Sequence, residues 1–264
     1  MSSQQSIGVF DSGVGGLSVL RHVRELLPGE SLIYVADNAY MPYGSLTAES
    51  VSDRCRQVVS FFIEQNAKAV VVACNTATAA AIETLRSEYK LPIIGMEPAV
   101  KPAVLATRSG VIGVLATSGT LGSDKFSSLV KRFGSSAEVI FQPGVGLVEQ
   151  VEAGEFESDK TRELLKTHLS PLLDRGADVL VLGCTHYPYL STVIREIVGD
   201  KITILDTGSA IAAELRRQLE KHDLNAVTDS VGDICFYSSG DVGMNSVTVS
   251  QLWGSRVQVE SLPE

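Results

Sequence analysis

Apolar residues follow two rhythms along this chain. Short unbroken runs such as Val70-Val71-Val72-Ala73 and Val179-Leu180-Val181-Leu182 alternate with stretches where apolar residues return at helical spacing, as at Leu17, Leu20, Val23 and Leu27. The runs predict buried parallel strands, because a strand covered on both faces has no polar side to show. The periodic stretches predict helices that cover them. Strands are expected at residues 7–10, 31–37, 69–73, 92–96, 110–115, 138–141, 179–182 and 202–205, with two further candidates at 234–238 and 257–259. Helices are expected from Leu17, over 47–66, 76–89, 123–133 and 158–175, in a short piece within 144–154, from the Cys184 segment to about Val198, and over 209–221. Pro171 is expected to bend or break its helix. The polar segment between the last two strand candidates is expected to stay irregular, with Glu97-Pro98 and Asp206-Thr207-Gly208 as crossings between two halves.

The pattern repeats. Ile7-Gly8-Val9-Phe10-Asp11-Ser12-Gly13 resembles Ile112-Gly113-Val114-Leu115-Ala116-Thr117-Ser118-Gly119, and the Cys74-Asn75-Thr76 segment resembles Cys184-Thr185-His186. The offsets, 105 residues (7 to 112) and 110 (74 to 184), suggest an internal duplication. The expected fold is α/β: two similar, pseudo-symmetric α/β domains with mainly parallel sheets and an active site in the cleft between them. Residues 1–97 plus 208–264 form the first domain and 98–207 the second.

With 264 residues, 44% of them hydrophobic and 20% charged, the chain can build a sizeable core and lies far from a disordered composition. A formal net charge of −9 and the lack of a dense basic stripe argue against a nucleic-acid partner. No run reaches membrane-span length, and four cysteines without a signal-like start predict free thiols in the cytoplasm. The turn at Asp11-Ser12-Gly13-Val14-Gly15-Gly16 lacks the Gly-x-Gly-x-x-Gly spacing, and no phosphate loop occurs, which weakens a nucleotide cofactor.

Cys74 and Cys184 each end an apolar run, where open α/β sheets place ligands. Two such thiols could form a redox pair, bind metal, or act as base and acid on two faces of one carbon. Metal fits worst, since neither cysteine has a Cys-x-x-Cys or paired-histidine context. His186 stands two residues from Cys184, as an orienting group or proton partner. Helix N-termini following both cysteines are expected to supply backbone donors and favour thiolates. Asp11, Ser12, Asn75, Thr76 and Thr185 offer polar contacts to a small carboxylate. Near-mirror symmetry suits proton removal from one face of a carbon and delivery to the other. Cys55, within a helix, and Cys235, in a strand, are expected to be structural.

The segments Phe10-Asp11-Ser12-Gly13-Val14-Gly15-Gly16-Leu17, Pro42-Tyr43-Gly44, Ala73-Cys74-Asn75-Thr76-Ala77, Val151-Glu152-Ala153-Gly154 and Gly183-Cys184-Thr185-His186-Tyr187-Pro188 together resemble the cofactor-independent aspartate/glutamate racemases, glutamate racemase in particular. The resemblance spans most of the chain. It implies interconversion of L- and D-glutamate without pyridoxal phosphate or metal, the D-isomer going into peptidoglycan. By that analogy Cys74 takes the α-proton of the D-isomer and Cys184 that of the L-isomer. Asp11, Glu152 and His186 match auxiliary acid/base positions. Asp11, Ser12, Tyr43, Gly44, Asn75, Thr76, Thr185 and His186 match substrate contacts. His186, where sister aspartate racemases carry Glu, points to glutamate. Gln142-Pro143 replaces a Cys-Pro pair common in the family, and only a packing difference is expected there. The expected partner is glutamate, with a homodimer, no nucleic acid and no membrane. An aspartate racemase or maleate isomerase, an amino-acid-binding protein with inert cysteines, and a thiol redox protein are the competing readings.

Overall fold

The computed structural model describes residues 5–228 and 230–263. In chain order the elements are β1 (Ser6–Asp11), α1 (Leu17–Leu26), β2 (Ser31–Ala36), α2 (Ala48–Glu64), β3 (Ala67–Val72), α3 (Asn75–Glu88), β4 (Ile93–Gly95), α4 (Val100–Ala106), β5 (Val111–Ala116), α5 (Ser118–Leu121), α6 (Asp124–Phe133), β6 (Glu138–Pro143), α7 (Leu147–Glu152), α8 (Asp159–Asp174), β7 (Val179–Gly183), α9 (Ser191–Val198), β8 (Thr203–Leu205), α10 (Gly208–Lys221), β9 (Ile234–Ser238), α11 (Val242–Trp253) and β10 (Val259–Ser261). The chain divides into two compact units. Residues up to Met96 and from Gly208 onward form one, and Glu97–Thr207 the other. Among the described residues, no helix is long and apolar enough to cross a membrane.

The first unit holds a six-stranded sheet ordered β10-β9-β2-β1-β3-β4, and the second a four-stranded sheet ordered β6-β5-β7-β8; every pairing is parallel. Both sheets follow one winding rule. The chain leaves the central strand, β1 or β5, to one side and returns on its other side with β3 or β7. That reversal opens a crevice at the carboxyl ends of β1 and β3, and again at those of β5 and β7, where ligands of open parallel sheets bind. The apolar runs fill the two cores: Phe10, Val35, Val58, Phe62, Val70 and Val72 in one, Ile112, Val114, Phe126, Val179 and Val181 in the other.

The repeated glycine of the Ile-Gly-Val motif has a packing cause in both units. A Cβ on Gly8 would lie 2.5 Å from the Phe62 ring on α2, and one on Gly113 would lie 2.9 Å from a Leu172 methyl on α8. In each case the crowding side chain comes from the long helix that precedes the third strand of the unit. Gly8→Ala and Gly113→Ala are therefore expected to overpack the core and cost about 1–3 kcal/mol each, measured by denaturant unfolding. Unchanged midpoints would show that the helices can shift outward freely.

Three expectations need correction, and one helix falls where none is expected. The helix bearing Pro171 runs unbroken over Asp159–Asp174. Pro171 lies close to its end, and both Pro171 and Thr167, whose carbonyl loses its partner, are exposed, so water can satisfy that carbonyl. The stretch after Glu97-Pro98 contains α4, whose Pro102 sits in the first turn, where a helix has no use for the N–H. The segment thought irregular before the last strand is α11, capped by the Asp241 carboxylate accepting from Met244 N and closed by Gly254 in the left-handed region. Its inner face is Asn245, Val249 and Leu252, while Met244 and Val247 are exposed, which blurs the helical rhythm. The last strand starts at Val259 rather than 257.

Candidate active site

In the first unit the crevice is built from the ends of β1 and β3. Asp11, the last residue of β1, is fully buried, and its Oδ1 accepts from Ser12 Oγ at 3.0 Å and from Gly13 N at 3.1 Å. Cys74, just past β3, is the N-cap of α3; its Sγ accepts from Ala77 N at 3.4 Å and its S–H is directed to Ser12 Oγ at 3.8 Å. A sulfur facing free helix N–H groups is stabilised as an anion by hydrogen bonding and by the positive end of the helix dipole. Asn75 and Thr76 open α3 and are buried beside it.

Asn75 is 4% exposed, yet neither its Oδ1 nor its Nδ2 has a hydrogen-bond partner among the described residues. Burying an amide without partners costs free energy that a ligand could return. Asn75→Ala is expected to leave the fold as stable as before or more stable by about 1 kcal/mol, while weakening substrate binding. Thermal melts with and without substrate, together with KM, check this. A clear loss of stability without ligand would mean that the amide has a structural partner.

Tyr43 and Gly44 lie on a short 3₁₀ turn (Tyr43–Ser45) after β2, and Tyr43 shares the core cluster of Cys74 and Cys55. The Tyr43 hydroxyl donates to Asp37 Oδ2 at 2.5 Å, and Arg54 on α2 grips the same carboxylate, Nε to Oδ2 at 3.0 Å and Nη2 to Oδ1 at 2.7 Å. Burial, joined by the Asp37 charge, pushes the Tyr43 hydroxyl well above the ordinary tyrosine range, so it stays a donor. Asp37 and Arg54 were not anticipated from the sequence. The available signal was that Asp37 follows β2 as Asp11 ends β1.

In the second unit Cys184 follows β7, and the expected helix N-terminus is missing there. Cys184-Thr185-His186 forms a turn into a 3₁₀ segment (Tyr187–Leu190), and α9 begins only at Ser191. Side chains take over. His186 Nδ1 lies 3.6 Å from Cys184 Sγ and 3.4 Å from Thr185 Oγ1, and its Nε2–H donates to Glu152 Oε1 at 2.6 Å. Burial alone would lower the His186 pKa; hydrogen bonds to Cys184 and Glu152 outweigh it and hold the imidazole well above its usual range. The pair can therefore exist as S–H with neutral imidazole or as thiolate with imidazolium, and Glu152 favours the charged ring.

The residues expected at the site divide between the two units. Asp11, Ser12, Tyr43, Gly44, Cys74, Asn75 and Thr76 belong to the first unit, and Glu152, Cys184, Thr185 and His186 to the second. The duplication is not exact in chemistry: a helix N-terminus supports one thiol and a His–Glu pair the other. Cys55 is buried in the core, as anticipated, and the Cys235 thiol is exposed. Among the described residues, no group of three or more His, Cys, Asp or Glu side chains is placed to hold a metal ion.

The family model described as Asp/Glu/Hydantoin racemase matches residues 7–215. A glutamate racemase of Ectopseudomonas mendocina (strain ymp) is 53% identical over 258 residues, covering 97% of this chain and 98% of the relative. Among solved structures, the fold is similar to glutamate racemase isoform RacE1 from Bacillus anthracis, with TM-score 0.89, 32% identity, and 98% and 97% of the two chains covered. It is also similar to Escherichia coli glutamate racemase in complex with L-glutamate and the activator UDP-MurNAc-ala, with TM-score 0.86, 31% identity, and 98% of each chain covered.

Proposed function

The chain belongs to the Asp/Glu/Hydantoin racemase family, and we propose that it interconverts L- and D-glutamate by proton transfer between two thiols, Cys74 and Cys184. The observation that carries this reading is that each unit follows its third strand with a buried cysteine that has its own anion-stabilising support: the α3 N-terminus for Cys74, His186 with Glu152 for Cys184.

In the D-to-L direction the Cys74 thiolate removes the α-proton, leaving the electron pair on the α-carbon and its carboxylate. The Cys184 S–H then delivers a proton to the opposite face. The cycle leaves Cys74 as thiol and Cys184 as thiolate, ready for the L-isomer. An α-proton is weakly acidic and a thiol titrates near 8.5 in isolation, so donors must stabilise the developing negative charge. Ser12, Asn75, Thr76 and Thr185 are the candidate donors, joined by Tyr43 and Gly44 at the substrate. Asp11 and His186 handle protons on the two sides, with Glu152 acting through His186.

The D-isomer would supply peptidoglycan synthesis, from a cytoplasmic enzyme acting as a homodimer. The direct test is the optical rotation of L-glutamate with the purified, reduced protein, without added pyridoxal phosphate or metal. Decay to zero is expected. A constant rotation with L-glutamate but decay with L-aspartate would transfer the reading to a sister activity. Constant rotation with both, alongside measurable glutamate binding, would make the protein a binding module.

A further inference from the structure

The loop between β6 and α7 is fastened from two directions, and it leads into the helix that ends in Glu152. The Tyr187 hydroxyl, one residue past His186, donates to Gly144 O at 3.3 Å. The approach is close enough that a Cβ on Gly144 would collide with the Tyr187 hydroxyl. From the other side His168 on α8 reaches the next residue, its Nε2 lying 2.9 Å from Val145 O. A carbonyl only accepts, so Nε2 carries the hydrogen. The Gln142 amide nitrogen lies 3.2 Å from His168 Nδ1 and also donates to Pro143 O at 3.2 Å. Turning that amide over would set its oxygen against Pro143 O, so the nitrogen faces His168 and Nδ1 accepts. Gln142 therefore selects the neutral, Nε2-protonated tautomer that the Val145 carbonyl requires.

Gln142 thus does more than pack beside Pro143. It completes a polar relay from Gln142 through His168 to Val145. Gly146 follows with φ +86° as the N-cap of α7, and Glu152 is the last residue of that helix, 2.6 Å from His186.

We propose that His168, set by Gln142, is a positioning residue for the racemisation: by holding Val145 it fixes the start of α7 and so the Glu152–His186 contact that serves Cys184. The inference rests on the two-thiol racemase reading. It predicts a one-sided effect, because Gln142, His168 and Val145 all belong to the unit that carries Cys184.

His168→Leu removes both ring contacts, whereas His168→Gln keeps a donor near the Nε2 position. His168→Leu is expected to lower kcat between about threefold and about 10²-fold, the range over which misplacing a catalytic group acts, and His168→Gln to restore most of it. The deciding readout is the primary isotope effect on kcat/KM with α-deuterated substrates. Slowing transfer at Cys184 makes its step more rate-limiting. The effect should grow with L-glutamate, whose deuteron Cys184 removes, and shrink with D-glutamate, whose deuteron Cys74 removes. Partial unfolding would move neither. Isotope effects unchanged or shifted alike in both directions would overturn the proposal, as would failure of His168→Gln to recover activity.

Should His168→Leu fail to fold, Gln142→Leu removes the Nδ1 donor, together with the bond to Pro143 O, while leaving His168 in place, and must show the same opposed shifts in smaller degree. Imidazole ¹⁵N shifts of the resting protein test the relay without turnover: an Nε2-protonated neutral ring is expected, and the Nδ1-protonated tautomer would overturn it. Wild-type protein that exchanges α-protons while the variants behave like it defeats this inference alone. Wild-type protein that exchanges none defeats the racemase reading and this inference with it.

Discussion

Cys74→Ser and Cys184→Ser each lower racemisation by about 10²–10⁴-fold, the contribution of a general acid–base group in place. A hydroxyl is a far weaker base than a thiol at neutral pH, and neither replacement adds volume to its site. Both variants should keep wild-type far-UV circular dichroism and melting behaviour. Because the two enantiomers have equal free energy, kcat/KM must be the same in both directions for every variant. The asymmetry between the thiols therefore shows only in kcat and KM taken separately and in isotope effects. Either variant racemising at the wild-type rate would sink the two-thiol assignment. Cys55→Ala serves as the control, since Cys55 packs in the core and should affect stability more than turnover.

His186→Asn has the second-largest expected effect. It removes the charge-assisted bond to Glu152 and the contact to Cys184 together. At about 1.5–3 kcal/mol for a hydrogen bond to a charged group, kcat/KM should fall by about 10- to 150-fold. Glu152→Gln keeps an acceptor but not the charge, and should fall between wild type and His186→Asn. A pH signature accompanies the activity loss. The folded-state pKa of His186 lies above its unfolded value of about 6.5. Its stabilising contribution is then complete below about 6.5 and is lost as pH rises through the folded value. The stability gap between wild type and His186→Asn should accordingly narrow with rising pH, measured by urea unfolding across the neutral to alkaline range. A gap that widens would mean that the ring is neutral at rest.

The strands were legible because parallel sheets covered on both faces leave unbroken apolar runs, and the runs ending at Cys74 and Cys184 marked the crevices directly. Elements with diluted patterns were not legible. α4 hides behind Pro98 and Pro102, and α11 is interrupted by serines and by the exposed Met244 and Val247. The turn after Cys184 was misread as a helix start because it echoes the Cys74 segment, whereas Tyr187-Pro188-Tyr189-Leu190 winds as 3₁₀. Contacts between residues far apart in sequence left no local trace. Glu152 and His186 are 34 positions apart and were joined only by family resemblance, and the Asp37 grip of Arg54 and Tyr43 and the Gln142–His168 relay were not anticipated.

Racemisation of L-glutamate in deuterium oxide, stopped at a few per cent conversion, separates two bases from one. With two thiols, the base that removes the proton is not the one that delivers it. The D-glutamate formed should therefore carry solvent deuterium at the α-carbon, while the recovered L-glutamate remains protiated. D-glutamate retaining its original proton, or L-glutamate gaining deuterium as fast as product appears, would contradict proton transfer between Cys74 and Cys184.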